Sequence, residues 1–261
     1  MAPLIISIAN QKGGVGKTTT AINMAAGLVE KGAKVLLIDL DPQGNSSTGV
    51  GVATTSRETT SYDLLTGDAS LTKAMQPTTV EGLFIVPANA DLASADIDLV
   101  SNEKRSFLLQ GALRATDVAA LNLDFILIDC PPSLSLLTIN ALVASNSVLV
   151  PLQAEFFALE GLSQLMVTIR EVRQSANPTL RIEGVVLTMT DSRNRLSQQV
   201  EADVRETLGD LVFTTVIPRN VRLSEAPSFA QSVLSYDSVS KGAEAYRALV
   251  GEIVARHPIN R

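Results

Sequence analysis

The sequence predicts an α/β fold: a mostly parallel, twisted sheet with helices on both faces. Three observations carry this reading. Short β-branched runs alternate with longer stretches of helical spacing along the whole chain, the order of repeated β-α-β units. The strand candidates Val35–Asp39 and Phe125–Asp129 are apolar up to their final aspartate, as strands covered on both faces are. Aromatic residues make up only 4% and Trp is absent, so the core rests on Val, Ile, Leu and Ala.

The elements follow in order. Residues 4–9 read as the first strand. Residues 18–31 place Ile22, Ala25, Ala26 and Val29 on one helical face, and Gly32 stops the helix. Val35–Asp39 is the second strand, and residues 44–60, rich in Gly, Ser and Thr, read as loop. Leu83–Val86 is a short strand, residues 92–115 are mostly helical, and Phe125–Asp129 is a buried strand ended by Pro131 and Pro132. A helix over 134–145, a strand over 147–151 and a long helix over 159–176, ended near Pro178, come next. A strand over 182–189, a helix over 197–208, a strand over 214–217 before Pro218, and a last helix at Lys241–Arg256 complete the pattern. No linker, repeat or low-complexity segment interrupts the 261 residues, so one domain over 1–261 is the simpler expectation.

Hydrophobic residues at 46% and charged residues at 18% describe a globular chain. The net charge of -6 argues against a protein coated in basic charge for nucleic acid and leaves room only for a local basic patch. The single cysteine, Cys130, forms no internal disulfide and no metal framework, which fits a reducing compartment. With no basic leader and no apolar stretch of bilayer length, a soluble cytoplasmic protein is expected.

Between the first strand and the first helix lies Gln11-Lys12-Gly13-Gly14-Val15-Gly16-Lys17-Thr18-Thr19. Strand, glycine-rich turn and helix in that order make a P-loop, whose backbone N–H groups and positive helix end face phosphate. Lys17 is expected on the β- and γ-phosphates of ATP and the Thr18 hydroxyl on Mg2+. Gln11 stands where the strict pattern G-x-x-x-x-G-K-[ST] has its first glycine, and Lys12 adds a second lysine. A cation among phosphate-binding glycines has an electrostatic use that a merely solvated lysine lacks. Three aspartates end strands, where ligands of open α/β sheets bind. Asp129 closes a Walker B-like strand and is expected at the Mg2+ ion. Of Asp39 and Asp41, one serves the metal shell and the other orients the attacking water, unless either caps the loop through backbone N–H groups. Cys130, with the only histidine far away at His257, reads as a small buried residue, and His257 as a surface residue.

These boxes resemble the ParA-type ATPases of the MinD/ParA superfamily. Lys12 to Thr18 is similar to their deviant Walker A box. Residues 35–45, VLLIDLDPQGN, resemble the second box, and Asp129-Cys130-Pro131-Pro132-Ser133 the third. Residues 151–161 and 217–228 match as well, so the resemblance to chromosomal, Soj-like partition ATPases runs from near the start to the last third. It implies a single P-loop NTPase domain and a homodimer that sandwiches two ATP molecules, with Lys12 reaching the partner's nucleotide. It implies that Asp41 helps activate water, that Met189 and Pro218 border the adenine with Arg219 beside it, and that Glu155 lies near the dimer interface. Nonspecific double-stranded DNA binding by the ATP dimer, slow hydrolysis stimulated by a ParB-type partner, and nucleoid association in the ATP state also follow from the resemblance. The first strand starts almost at Met1, so no helix-turn-helix extension and no operator-binding role are expected.

The basic residues Arg193, Arg195, Arg219 and Arg222 bunch in the second half, and Arg193 and Arg222 resemble the DNA-binding positions of Soj-like proteins. Charge alone favours another reading, in which they ion-pair with Asp191, Asp203 and Glu225. The rival functions are distinguishable. A MinD-like membrane regulator needs a basic amphipathic C-terminal helix, whereas residues 243–256 carry only Arg247 and Arg256 as cations. A nitrogenase-reductase-like enzyme needs cluster cysteines. An amidotransferase or ligase needs a further substrate pocket, and a pure binding module needs Asp41 to be structural only.

Overall fold

The apolar runs form β1 (Leu4–Ile8), β2 (Val35–Asp39), β3 (Gln76–Pro77), β4 (Leu83–Val86), β5 (Phe125–Asp129), β6 (Ser147–Gln153), β7 (Arg181–Thr190) and β8 (Val212–Pro218). A computed structural model describes residues 2–155 and 158–259. The strands join in one sheet, ordered β3-β4-β2-β5-β1-β6-β7-β8, and only the β3–β4 pair is antiparallel. Parallel neighbours need crossover connections, and helices supply them. In the first half these are α1 (Lys17–Glu30), α2 (Asn45–Gly49), α3 (Ser61–Thr66), α4 (Leu71–Ala74), α5 (Ala95–Asp98) and α6 (Leu108–Leu113). The second half adds α7 (Leu136–Ala144), α8 (Ala158–Ser175), α9 (Arg195–Leu208), α10 (Val221–Glu225), α11 (Val233–Tyr236) and α12 (Lys241–Arg256).

Strand side chains alternate between two apolar layers. Leu36 and Ile38 of β2 join Ile126 and Ile128 of β5 beneath α6, α7, α8 and α9. Val35, Leu37, Phe125 and Leu127 face the other way, against α1, α11 and α12. Helix α12 turns Tyr246, Leu249, Val250 and Ile253 into that second layer, and Tyr246 shares a 3.1 Å hydrogen bond with Thr20 of α1. Its apolar face is therefore spent on the fold. No helix among the described residues is long and apolar enough to cross a membrane.

Three expectations change. Residues 44–60 are not all loop: they hold α2 and a tight turn at Thr54–Ser56. Gly and Ser disfavour helix on propensity, but α2 is held by tertiary hydrogen bonds from Ser46 and Ser47 that sequence spacing does not reveal. Residues 92–115 break into α5, α6 and single turns, because Asn102 receives the Lys104 N–H on its carboxamide at 2.8 Å and so favours a turn over a continuous helix. His257 is not a free surface residue; its Nε2 lies 3.0 Å from Oε1 of the buried Glu183, which also accepts from Ser147.

Candidate active site

Register gathers the site. Ile8 at the end of β1 stands opposite Asp129 of β5, and Asp129 stands opposite Asp39 of β2. The loop leaving β1 therefore runs beside both carboxylates at the carboxyl edge of the sheet. Gly14 and Gly16 have φ of 77° and 87°, the left-handed region that a Cβ penalises. Gly16 opens α1 with no side-chain cap and no acid in the first turn, so the free N–H groups of Lys17, Thr18 and Thr19 present positive charge to an anion. The loop is pinned from outside. Asn10 donates to Pro151 O at 2.8 Å and accepts from Lys12 N, and Thr188 donates to Val15 O at 2.9 Å.

The two lysines differ. Lys17 is 7% exposed, and its ammonium donates to Lys12 O at 2.9 Å. Burial pulls its pKa below the ordinary lysine value, against the opposing charge of Asp129 and Asp41. The Lys12 side chain is 36% exposed on the rim, where it pairs with Glu155. Gly13 and Val15 complete the loop, with Val15 fully buried.

The three carboxylates are held in three ways. Asp39 is fully buried with both oxygens engaged: Oδ1 accepts from Asp41 N at 3.1 Å, and Oδ2 from Ser47 N and Ser47 Oγ at 2.9 and 2.7 Å. Asp129 is equally buried, but only Oδ2 has a full partner, Ser46 Oγ at 2.7 Å. Its Oδ1 meets no donor at hydrogen-bonding geometry, although the Thr18 hydroxyl lies on that carboxyl and favours its charge. Burial raises the pKa of both groups well above the carboxylate range, and their mutual repulsion adds to it at Asp129. Asp41 accepts from Gln43 N at 3.0 Å through one oxygen.

A buried carboxylate with one orphaned oxygen and a threonine hydroxyl near its carboxyl is what a Mg2+ ion satisfies, and Mg2+ takes its other ligands from water and phosphate. The described residues hold no cluster of three or more His, Cys, Asp or Glu that would make an all-protein metal cage. Thr18 and Asp129 therefore fit magnesium. Asp39, with both oxygens occupied, fits a supporting place better than a ligand's. A cavity of about 130 Å³ opens beside Gly16 and Thr19 and is walled by Met189, Pro218, Arg219 and Tyr246. Met189 holds φ at 52°, unusual for a side chain of its size, where the chain turns at this wall. The expected base-binding residues thus come together next to the phosphate loop.

Sequence reasoning missed Ser46, Ser47 and Arg57. Arg57, 8% exposed without an ion-pair partner among the described residues, donates to Val52 O, Ala88 O and Thr48 Oγ1 and so fixes α2. The arginine surface lies apart from the carboxylates. Arg193, with 89% of its side chain exposed, pairs with Asp191, and Arg222 pairs with Glu225 at 2.8 Å and Asp237 at 3.2 Å. Arg193, Arg219 and Lys241 line one open depression. Asp203 accepts from Gln199 instead of an arginine. Cys130 is buried as expected, and burial pushes its thiol far up.

The chain is similar to known proteins over nearly its whole length. The family model described as "AAA domain" matches residues 4–182. The chromosome partitioning protein ParA of Caulobacter vibrioides is 55% identical over 97% of this chain and 94% of its own length. The sporulation initiation inhibitor protein Soj of Bacillus subtilis is 51% identical over 96% of this chain and 98% of its own. A crystal structure of cobyrinic acid a,c-diamide synthase from Mycobacterium smegmatis, with bound ATP analogue and magnesium, superposes with a TM-score of 0.84 at 37% identity, covering 99% and 97% of the two chains. On its phosphate loop, its strand-end carboxylates and these full-length identities, the chain belongs to the AAA-domain ATPases and, among them, to the ParA/Soj family of partition ATPases.

Proposed function

We propose that this ATPase is a DNA-segregation switch, working as one unit along its length. Two ATP-bound subunits form a sandwich dimer that holds nonspecific DNA, and hydrolysis stimulated by a ParB-type partner releases it. The observation that carries the reading is the division between the two lysines: Lys17 is enclosed by its own loop, while Lys12 stands on the rim. One cation serves the subunit's own β- and γ-phosphates, and the other, paired with Glu155 on the rim, is placed to serve phosphates presented by a second subunit. Thr18 and Asp129 would hold magnesium, which would supply charge neutralisation. The loop N–H groups from Gly13 to Thr19 orient the phosphates, Met189, Pro218 and Arg219 border the base, and Glu155 holds Lys12 until a second nucleotide competes for it. Asp41 accepts the proton of the attacking water or orients it.

The DNA surface is Arg193 and Arg222. Their ion pairs are exposed and screened by solvent, so a duplex phosphate can displace the acids. Dimerisation doubles the patch and makes affinity depend on ATP. The test is DNA binding with ATP, with ADP and without nucleotide, across salt, for wild type, Arg193→Ala and Arg222→Ala. Each substitution should weaken binding equally on unrelated sequences and flatten the salt slope by about one unit, with ATP-dependent dimerisation intact. Equal binding by the nucleotide-free monomer would remove the switch.

The Mycobacterium smegmatis structure raises amide synthesis as a second reading. Releasing ammonia from glutamine through a thiolate needs a reachable cysteine, and Cys130, the only one, is buried with its thiol pushed up.

A further inference from the structure

Helix α2 brings two hydroxyls to two aspartates, and the two pairs differ in a way that bears on the metal. Ser47 gives Asp39 both its N–H and its hydroxyl, and Asp41 N closes the remaining oxygen. Ser46, next in sequence and fully buried, gives Asp129 a single hydroxyl at 2.7 Å, on Oδ2 only. The carboxylate is thereby fixed in rotation with Oδ1 left over. The segment cannot drift easily, because Arg57 ties Val52 and Thr48 to Ala88 at the end of β4. Gly44, which opens α2, packs so close that a Cβ there would lie 2.2 Å from the Arg57 guanidinium.

We propose that Ser46 is a positioning residue for magnesium: its hydroxyl, on Oδ2, orients Asp129 and leaves Oδ1 for the metal, while Ser47 keeps Asp39 occupied and out of the coordination sphere. Partners that orient a metal-ligating carboxylate typically change metal affinity by about 10- to 100-fold when removed. The segment 44–49 thus selects which of two adjacent buried carboxylates is the ligand.

The proposal rests on Asp129 being the magnesium-side carboxylate, so Asp129→Asn runs beside it. Binding of a fluorescent ATP analogue to the full-length protein is measured in EDTA and then titrated with Mg2+, for wild type, Ser46→Ala, Ser46→Cys and Asp129→Asn. Ser46→Cys is close in volume and a weak donor, so it reports even if the alanine variant folds poorly. Both Ser46 variants should need roughly 10-fold or more Mg2+ to reach half-maximal enhancement, with unchanged affinity in EDTA. An unchanged Mg2+ midpoint, or an equal loss in EDTA, overturns the role of Ser46. If Asp129→Asn abolishes the Mg2+ response while the Ser46 variants titrate like wild type, only the positioning proposal fails. If Asp129→Asn also titrates like wild type, the assignment of Asp129 fails with it.

Discussion

Replacing Asp129 by Asn should make the ligand-free protein more stable while removing its response to magnesium. In the free chain the carboxylate is fully buried, receives one hydroxyl, and sits opposite Asp39 in the strand register. Its Oδ1 is left without a donor. An asparagine keeps an oxygen for Ser46 and puts a neutral NH2 group where that oxygen stands, which removes the buried charge. A buried polar group without a partner costs about 1–3 kcal/mol, so the variant should gain about that much. For a chain of this length each kcal/mol moves the midpoint by about 2–4 °C, which puts the shift at roughly 2–12 °C. The pH dependence has a definite sign. The folded Asp129 titrates above its unfolded value, so its contribution to stability is fully present below the ordinary carboxylate range and is lost as pH rises through the raised value. The gain from asparagine should therefore be full near pH 8 and largely gone near about pH 4, where the folded acid is protonated and the unfolded one is about half so. Thermal unfolding in EDTA at the two pH values measures it, and repeating the scan with Mg2+ and ATP should reverse the order. No gain at the higher pH, or an equal gain at both, would show that Asp129 is not held as an unsatisfied charge.

The remaining substitutions separate the loop's parts. Lys17→Ala should weaken ATP binding by roughly 10- to 150-fold, the worth of a hydrogen bond to a charged group, measured by equilibrium titration; wild-type affinity would refute the phosphate assignment. Lys12→Ala should bind nucleotide normally but sediment as a monomer with ATP, and a normal ATP-dependent dimer with intact turnover would return Lys12 to a solvated rim lysine. Asp41→Ala should bind ATP, stay dimeric and remain on DNA while turnover falls by about 10²- to 10⁴-fold; near-normal phosphate release would leave Asp41 as the cap of the Gln43 turn.

Much of the sheet was legible because its strands are buried on both faces and so read as unbroken apolar runs. Val35–Asp39 and Phe125–Asp129 fall at the bounds their patterning gives. The phosphate loop was legible because its glycines answer a backbone need, with φ positive at Gly14 and Gly16. The short elements were not. Helix α3 is opened by Thr60 and Asp63 in a reciprocal cap, a signal present in the sequence but carried by only six helical residues. Strand β3 spans two residues at an edge, below any periodicity. Helix α2 was hidden by its own composition, since Ser46 and Ser47 gain from two aspartates what they lack in propensity. Arg57 was hidden for the opposite reason: a long cation reads as surface, and here carbonyls and a hydroxyl take its donors inside the fold.

On the proposed reading, the net charge and the basic surface answer different questions. A net charge of -6 describes the average field of the chain, and phosphate binding depends on the charges nearest the duplex. In the free protein those charges are partly masked, as Asp191, Glu225 and Asp237 sit on Arg193 and Arg222. Asp237 could not be anticipated, because it reaches Arg222 across a segment, α10 to α11, whose short helices carry no readable period. If the patch binds DNA as proposed, masking of this kind would weaken single-subunit affinity and leave geometry intact, since exposed ion pairs exchange at little cost. On the proposed reading, that makes a monomer poor and a dimer competent. Each subunit alone must displace its own acids for a small return, whereas two patches joined by ATP bind one duplex with the second displacement made intramolecular. Neutralising Asp191 or Asp237 without touching an arginine should then raise monomer binding to DNA at low salt and erode its dependence on ATP. That result follows only if masking, and not the absence of a patch, keeps the free chain off DNA.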